Sequence, residues 1–359
     1  MINTISRLYY AFRGGVLSVP GRIIVLAFII CLLLMPLMTS HPFILRMLSM
    51  AAIFAIYAAS WDLLAGFTGQ LSLGHALFFG VSAYTAALLN LRLGFSPWLT
   101  IPLGGAASVL AGLVVALPSL KLRGFYLALV TLAYPLILTG LVFVFSDVTG
   151  GEFGLYGLKR LSGSRLLSYY IVTVVMLVSV FVMWKLTDSK SKIVRLGVIL
   201  HSIREDEIAA RVSGINTTFY KVLAFCISGF FAGIAGGLYA HYLRIAGPST
   251  LELFFSFQPI LWTIFGGITS IYGPVTGVYI LYPVIDLLRM NPFLEQFRFV
   301  IFSLLLILIL LFMPEGVASW VRDRIEVDCP RCKIINSALR RSCRACRAPL
   351  HLSQKGTAK

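Results

Sequence analysis

The sequence predicts an all-α integral membrane protein of about ten transmembrane helices, with a charged cytoplasmic loop in its middle and a small cysteine-bearing tail. Three observations predict this fold class. The 359 residues are 58% hydrophobic and only 12% charged, which is far from the composition of a soluble protein. Several apolar runs approach the roughly 20 residues that cross a bilayer as a helix. A helical bundle also satisfies its own backbone hydrogen bonds, as lipid requires.

Ten apolar runs define the predicted spans. They are residues 23–39, 43–65, 75–91, 98–117, 124–145, 168–186, 221–243, 257–268, 275–288 and 298–313. The connecting segments on one side of the membrane, with the flanking Lys185 and Lys221, hold 22 Lys and Arg residues, against eight on the other side. Basic residues accumulate on the cytoplasmic side, so both termini are predicted to be cytoplasmic, at the plasma (inner) membrane. No cleavable signal peptide is evident before the first span.

Composition divides the chain into three parts: a cytoplasmic N-terminal segment, 1–22, a transmembrane domain, 23–320, and a basic cytoplasmic tail, 321–359. The tail holds ten Lys or Arg and three Asp or Glu, and the whole chain has a formal net charge of +16. Basic segments beside membrane spans are explained by attraction to anionic lipid headgroups. No aromatic residue follows Trp320, so the tail offers no stacking platform and nucleic acid is not expected as a partner.

Two glycine-rich stretches interrupt the apolar pattern. They are "GFTGQLSLGHALFFG" (66–80) and "FGGITSIYGPVTG" (265–277). In transporters, Gly- or Pro-interrupted apolar segments point to the substrate pathway, because irregular backbone at membrane depth needs protein or water around it. Close helix packing through small residues explains the same pattern. Both interpretations stay open at this stage.

The middle loop, 187–220, contains "SIREDEIAARVSGI" and predicts one or two short helices that end at Gly214. One interpretation is a solvated surface helix with an internal ion pair between Glu207 and Arg211. The other is a rod that lies in a groove of a cytoplasmic partner and transmits its motion.

Four of the six cysteines are grouped in the tail, whereas Cys31 and Cys226 are isolated in apolar helices and predicted to be small buried side chains. The grouped pairs are Cys329/Cys332 and Cys343/Cys346. Two CxxC pairs provide the four thiolates of a tetrahedral zinc site, and the cytoplasm disfavours disulfides. Redox thiols and an inert tail are the alternatives. The segment 329–350 resembles a short zinc ribbon but has Lys333 and Arg347 where ribbons usually have Gly.

Taken together, the motifs resemble the membrane subunit of branched-chain amino acid ABC importers. The resemblance covers about residues 20–320 and rests on six separated motifs in the expected order, at 66–89, 120–137, 149–155, 202–240, 266–277 and 312–316. It implies a permease moved by separate cytoplasmic ATP-binding subunits, paired with a second, related permease and fed by an extracytoplasmic solute-binding protein. The chain itself has no GxxxxGK[ST] loop, so no nucleotide is expected to bind to it.

The resemblance also assigns roles to individual residues. Gln70, Ser72 and His75 are expected to face the translocation pathway. Asp62 stands where similar sequences often carry Asn; a carboxylate inside a span costs roughly 2.5–3.5 kcal/mol, so we expect it at a cavity or partner, or protonated. The residues implied in ATPase coupling are Arg204, Glu205, Asp206, Glu207, Ala210 and Gly214.

Rival functions are an amide or urea permease, an intramembrane metal-dependent protein and a passive channel. The ionisable residues placed at depth are Asp62, His75, His241 and Asp286. They lie on different spans without the spacing of a metalloprotease or a paired-aspartate site. Asp286 and Arg289, three residues apart, are predicted to pair with each other. The chain is therefore expected to be a transport subunit rather than an enzyme.

Overall fold

The computed structural model describes residues 20–39, 41–119, 122, 124–188, 195–290, 292–313, 315–332, 335–338, 340–343 and 346–350. The predicted segment 1–22 therefore lies almost wholly outside the described residues. So do the end of the tail, Lys333 and positions 189–194 of the middle loop.

Each of the ten predicted spans coincides with a helix, and four short helices complete the set seen in the described residues. The helices are α1 (Pro20–Met38), α2 (Pro42–Thr68), α3 (His75–Leu93), α4 (Pro97–Ser119), α5 (Phe125–Val144), α6 (Ser146–Thr149), α7 (Arg165–Thr187), α8 (Leu196–Glu205), α9 (Glu207–Val212), α10 (Thr217–Leu243), α11 (Leu253–Gly266), α12 (Tyr272–Leu288), α13 (Pro292–Phe312) and α14 (Val317–Ile325). Within the described residues, six of them (α2, α3, α4, α5, α7 and α10) are long and apolar enough to cross a membrane, and shorter apolar helices occur at 23–38, 253–266 and 272–288. The all-α membrane fold class is confirmed.

Two small antiparallel pairings supplement the helices. Strand β1 (Leu155–Tyr156) pairs with β2 (Ile245–Ala246), and Leu155 lies opposite Ala246. This pairing fixes the loop before α7 to the segment after α10. Strand β3 (Glu326–Asp328) pairs with β4 (Ile335–Ser337) in the tail.

The chain forms two compact units, residues 40–317 and residues 1–39 with 318–359. In the larger unit α2 is the central helix: most of its length is buried, and it packs against α7, α10, α11 and α12. Helix α10 packs in turn against α3 and α4. In the smaller unit the backbone N–H of Gly21 donates to Glu326 Oε1 at 2.9 Å, which places a carboxylate at the N-terminus of α1, where the helix dipole favours it.

The ends of α2 follow from its sequence. Pro42 stands in the first turn, where a missing N–H costs nothing. At the other end Gly69 adopts a left-handed conformation with φ of 70°, and its N–H donates to Ala65 O, which stops the helix. The chain then runs through residues 69–74 without regular structure before α3 begins at His75.

Candidate functional site

The non-helical segment 69–74 and the first turn of α3 are held by hydrogen bonds from three helices. The indole Nε1 of Trp61 in α2 donates to Ser72 O at 2.8 Å. From α5, the Thr131 hydroxyl accepts from the backbone N–H of Leu73 at 3.0 Å. From α11, Ser256 Oγ accepts from Ala76 N at 3.3 Å. Irregular backbone at this depth is thus satisfied by surrounding protein rather than by lipid.

Gln70, Ser72 and His75 all lie buried in this region. Ser60 Oγ lies 2.9 Å from His75 Nε2 and 2.7 Å from Tyr57 O, so it hydrogen-bonds to both. His75 Nδ1 and Gln70 Oε1 have no hydrogen-bond partner among the described residues. The role of these residues in a pathway stays a prediction.

Several glycines of the two interrupted stretches serve close packing. A Cβ on Gly74 would collide with the carbonyl of Thr131 in α5. A Cβ on Gly266 would collide with Gly273 O, and one on Gly277 with Trp262 O, so these glycines let α11 and α12 approach backbone to backbone. Of the two interpretations left open by the sequence, close helix packing accounts for these positions.

Asp62 joins α2 to the loop that follows α11. Its side chain is fully buried, and Oδ1 accepts from the backbone N–H of Thr269 at 2.9 Å. Thr269 has φ of 66°, an unusual conformation for a residue other than glycine, and the hydrogen bond helps to hold it. Oδ2 of Asp62 has no partner within the described part of the chain.

The predicted coupling segment forms two helices, α8 and α9, separated by Asp206. Asp206 has extended backbone, and its Oδ1 accepts from the N–H groups of Ile208 and Ala209 at 2.8 and 3.0 Å. It is therefore the N-cap of α9. Arg204, at the end of α8, reaches the membrane helices: its Nη1 donates to Gly66 O in the last turns of α2 at 2.6 Å.

Glu207 links α9 to the base of α10. One carboxylate oxygen is 2.7 Å from Lys221 Nζ, and the other is 3.0 Å from Arg211 Nη2, which confirms the predicted pair between Glu207 and Arg211. Ala210 is buried, and its carbonyl accepts from Ile215 N. Gly214 has φ of 85° at the predicted helix stop.

The exposed side chains of the pair α8/α9 include one acidic and two apolar residues, Glu205, Ile208 and Val212. The side chain of Glu205 is 70% exposed and 4.0 Å from His201 Nε2. Ile208 and Val212, four residues apart on α9, are 64% and 84% exposed. The sequence marks both as apolar helix positions but not as contact residues; their strong exposure is what singles them out.

A cavity of about 380 Å³ opens at the other end of α2. It lies between α2, α10, α11 and α12, and its lining includes Phe54, Tyr239, Gln258, Trp262 and Asp286. Of these residues, the sequence singles out only Asp286, which is predicted to pair with Arg289. That pair is confirmed, with Arg289 Nη1 at 3.8 Å from Asp286 Oδ1. His241 lies outside the lining and is satisfied locally by Thr100 Oγ1 and Lys159 O.

The four tail cysteines converge. All four sulfurs lie within 4.8 Å of one another, with Cys329 Sγ and Cys346 Sγ at 3.5 Å and Cys332 Sγ and Cys343 Sγ also at 3.5 Å. In a tetrahedron with Zn–S bonds of about 2.3 Å, two sulfurs lie about 3.8 Å apart, so the arrangement fits one tetrahedral ion. This is the one such cluster of three or more metal-ligating side chains among the described residues.

The surroundings of the cysteines suit thiolate ligands. A backbone N–H of Cys332 directed at Cys329 lowers the pKa of that thiol. The buried amide Nδ2 of Asn336 donates to Cys343 Sγ at 3.6 Å. Arg347 has φ of 56°, so a position where zinc ribbons usually have glycine has glycine-like backbone here. These groups hold sulfurs in orientations that a metal ion needs.

A bundle of apolar helices, six of them long enough to cross a membrane in the described residues, joined to a charged helical pair, defines a multi-pass membrane protein. Residues 43–312 match the family described as "Branched-chain amino acid transport system / permease component". Because the match covers most of the chain, the protein belongs to this family.

Curated relatives agree with the family. The chain is 28% identical to the high-affinity branched-chain amino acid transport system permease protein LivM of Salmonella typhimurium, over 88% of this chain and 79% of that protein. It is also 28% identical to LivM of Escherichia coli, over 88% and 83%. A probable permease protein LivH of Methanocaldococcus jannaschii is 26% identical over 56% of this chain and 66% of its own length. No solved structure matches the chain.

Proposed function

We propose that the chain is the permease subunit of an ATP-driven ABC importer for branched-chain amino acids or related small polar solutes, working by alternating access. The observation that carries the proposal is the match of residues 43–312 to the permease family, together with the LivM relatives. The proposed partners are cytoplasmic ATP-binding subunits, a second related permease and an extracytoplasmic solute-binding protein.

The coupling element is the pair α8/α9, with both chain termini on its cytoplasmic side. Glu205, Ile208 and Val212 present an exposed surface to an ATP-binding subunit. Behind that surface, Arg204 bonds to Gly66 O of α2 and Glu207 to Lys221 of α10. A displacement of α9 on ATP binding is thereby passed to two membrane helices.

Solute-stimulated ATP hydrolysis by the chain co-purified with its ATP-binding subunits tests this proposal. The double variant Ile208→Ser, Val212→Ser should lose most of the stimulation, because it removes the exposed apolar contact without touching the bonds of Arg204 and Glu207. The matched control is Val198→Ser, an exposed apolar position on α8. Stimulation that survives the double variant unchanged would contradict the assigned surface, and failure of any ATPase to bind would contradict the importer itself.

We propose branched-chain amino acids as the solute class. Relatives at lower coverage include the ribose import permease RbsC of Haemophilus influenzae, 27% identical over 64% of this chain and 69% of its length. An amide or urea is the alternative from the sequence. Uptake of radiolabelled L-leucine, challenged in turn with excess isoleucine, ribose and urea, separates these classes. Competition by isoleucine alone is the expected result.

We further propose that Asp62, Gln70, Ser72 and His75 belong to the part of the pathway that opens during the cycle. Gln70 Oε1 and His75 Nδ1 are buried polar atoms without a described partner, and unpaired buried polar atoms favour a state in which water or solute reaches them. A cysteine at position 70 or 72 should therefore gain reactivity toward a small thiol reagent when ATP is added. Identical labelling in both states would contradict the assignment.

The tail, 321–359, is proposed to lie in the cytoplasm and to bind one zinc ion through Cys329, Cys332, Cys343 and Cys346. When bound, zinc would link the two CxxC pairs across the hairpin of β3 and β4. Elemental analysis of the purified chain should give one zinc per chain. Cys343→Ser should abolish the zinc, while Cys226→Ser, at an isolated cysteine, should retain it. Thiols that titrate as redox pairs without bound metal would contradict the zinc assignment.

A further inference from the structure

The cavity at the N-terminal end of α2 combines a buried, unpaired polar atom with convergent charges and aromatic rings. Gln258 Oε1 on α11 is buried and lacks a hydrogen-bond partner among the described residues. The side chain lines the cavity. An unpaired buried acceptor costs about 1–3 kcal/mol, so its presence beside a cavity indicates a ligand that donates to it.

The carboxylate of Asp286 lies on the same cavity and is only weakly engaged. Its side chain is 10% exposed, and its ion pair with Arg289 spans 3.8 Å, longer than a charge-assisted hydrogen bond. A carboxylate and an amide oxygen together form a recognition site for an ammonium group, which has three donors and no acceptor.

Two guanidinium groups, Arg46 on α2 and Arg289 after α12, stand at the exposed rim of the same cavity. Both act electrostatically on the hydroxyl of Tyr282, as does Asp286, so cationic and anionic groups converge on one region. A guanidinium binds a carboxylate in a forked geometry. The cavity thus carries one anionic subsite and one cationic subsite.

Part of the cavity wall is aromatic. The ring of Phe54 lies 4.9 Å from that of Trp262 and 5.3 Å from that of Tyr282, and Tyr239 is 6.2 Å away. All four side chains line the cavity. Such a surface takes an aliphatic group and excludes a polar side chain.

We propose that this cavity is a solute-binding site for a zwitterionic amino acid with an aliphatic side chain, in which Gln258 and Asp286 bind the ammonium group and Arg46 and Arg289 bind the carboxylate. The proposal rests on the proposed transport function and adds to it the place and the chemical features of recognition. A volume of about 380 Å³ lies at the small end of the range for ligand sites, in keeping with an amino acid.

The position of the cavity fits the entrance of an import pathway. Arg46 and Gly66 mark the two ends of α2, and 20 helical residues correspond to about 30 Å. Arg204 of the coupling pair bonds to Gly66 O, so the cavity lies at the end of α2 opposite the coupling contact.

The first test measures the thermal unfolding of the purified permease complex with millimolar L-leucine, without the solute-binding protein. Wild type should be stabilised by leucine and less by leucinamide or 4-methylpentanoate, which each lack one charge. Gln258→Leu and Asp286→Asn should lose roughly tenfold in apparent leucine affinity, the usual effect of removing a hydrogen bond to a charged group. The matched controls are Gln296→Leu and Asp147→Asn, at exposed positions outside the cavity, which should respond as wild type does.

The stability of Gln258→Leu without leucine separates a binding role from a structural one. Removing an unpaired buried acceptor should leave the midpoint of unfolding unchanged or raise it, while the response to leucine falls. A lower midpoint together with an unchanged leucine response would overturn the proposal, and so would equal stabilisation by leucine and by both analogues.

ATP-driven leucine uptake by the reconstituted importer distinguishes a wrong binding site from a wrong transport function. If wild type imports leucine and the Gln258 and Asp286 variants import it at the wild-type rate, the site is wrong and the proposed function stands. If wild type with its ATP-binding subunits attached imports no leucine and gains no stability from it, both are wrong. Reduced uptake confined to the cavity variants supports both.

Discussion

The charged contacts near the two ends of α2 differ in length. At the coupling end Arg204 Nη1 lies 2.6 Å from Gly66 O, and Lys221 Nζ lies 2.7 Å from Glu207. At the cavity end Asp286 and Arg289 are 3.8 Å apart, and Gln258 Oε1 has no partner in the described part of the chain. Buried polar atoms without a described partner occur near both ends, since Asp62 Oδ2 lies near the coupling end, so the difference is in the length of the charged contacts.

This difference matches the work proposed for each end. A contact that transmits motion needs short bonds between elements, because a loose contact absorbs the displacement. A site that binds and releases a solute needs polar groups that are incompletely satisfied in its absence. We therefore expect substitutions at the coupling end to lower stability or coupling, and substitutions at the cavity end to lower affinity alone.

The largest effect is expected for Glu207→Ala. It leaves the ammonium group of Lys221, whose side chain is 10% exposed, without its carboxylate, and breaking a largely buried ion pair costs roughly 3 kcal/mol. Thermal or denaturant unfolding of the purified chain measures the loss. Glu205→Ala, at a side chain that is 70% exposed, is the control and should change stability by less than about 0.5 kcal/mol. Equal losses in both variants would remove the distinction between the two acidic residues.

Arg204→Gln should reduce coupling more than stability. It removes the bond to Gly66 O, and hydrogen bonds to charged groups contribute about 1.5–3 kcal/mol, which corresponds to at least about tenfold in an equilibrium. The expected result is a tenfold lower number of leucine molecules imported per ATP hydrolysed. Arg211→Gln, at a side chain that is 58% exposed, should change this ratio little. An unchanged ratio for Arg204→Gln would show that motion reaches α2 by another contact.

A smaller loss is expected for Asp206→Ala, because this residue contributes to stability as the N-cap of α9. Loss of a helix N-cap costs about 1 kcal/mol. Hydrogen exchange of the amides of α9 should become faster, while exchange of α10 stays as in wild type. Asp206→Ser keeps a capping oxygen and should restore slow exchange. Fast exchange in both variants would indicate that α9 is stabilised by other contacts.

Much of the fold can be predicted from the sequence, because each helix that crosses the bilayer needs a run of about 20 apolar residues. Ten apolar runs predict ten helices, and each is present. Features that depend on neighbouring residues can also be predicted from the sequence. The pair between Glu207 and Arg211 lies within one helix, and Gly214, just after that helix, has positive φ. The spacing of the four cysteines predicted their convergence, since two CxxC pairs bring their own sulfurs together.

The cavity was not predictable in the same way because its lining joins α2 to three consecutive helices, α10 to α12, that are far from it in sequence. Phe54 and Trp262 are separated by about 200 residues, and each by itself looks like an ordinary apolar core position. Gln258, alone in an apolar helix, was the one available signal. Asp206 illustrates another limit: its place in a motif indicates partner contact, which stays a prediction, while its role as a cap is seen from its backbone conformation.

The smallest effect on stability is expected for Asp286→Asn, and it is the most direct test of the contrast between the two ends. The substitution removes a 3.8 Å ion pair with Arg289, a side chain that is 50% exposed, and such pairs contribute about 0–1 kcal/mol. The midpoint of unfolding should therefore stay close to wild type, while the leucine response falls about tenfold. Charge reversal of the pair, Asp286→Arg with Arg289→Asp, is the second measurement: it should restore the ion pair without restoring leucine binding. A large loss of stability in Asp286→Asn would show that this carboxylate is a structural contact. The charged contacts near both ends of α2 would then contribute to stability in the same way.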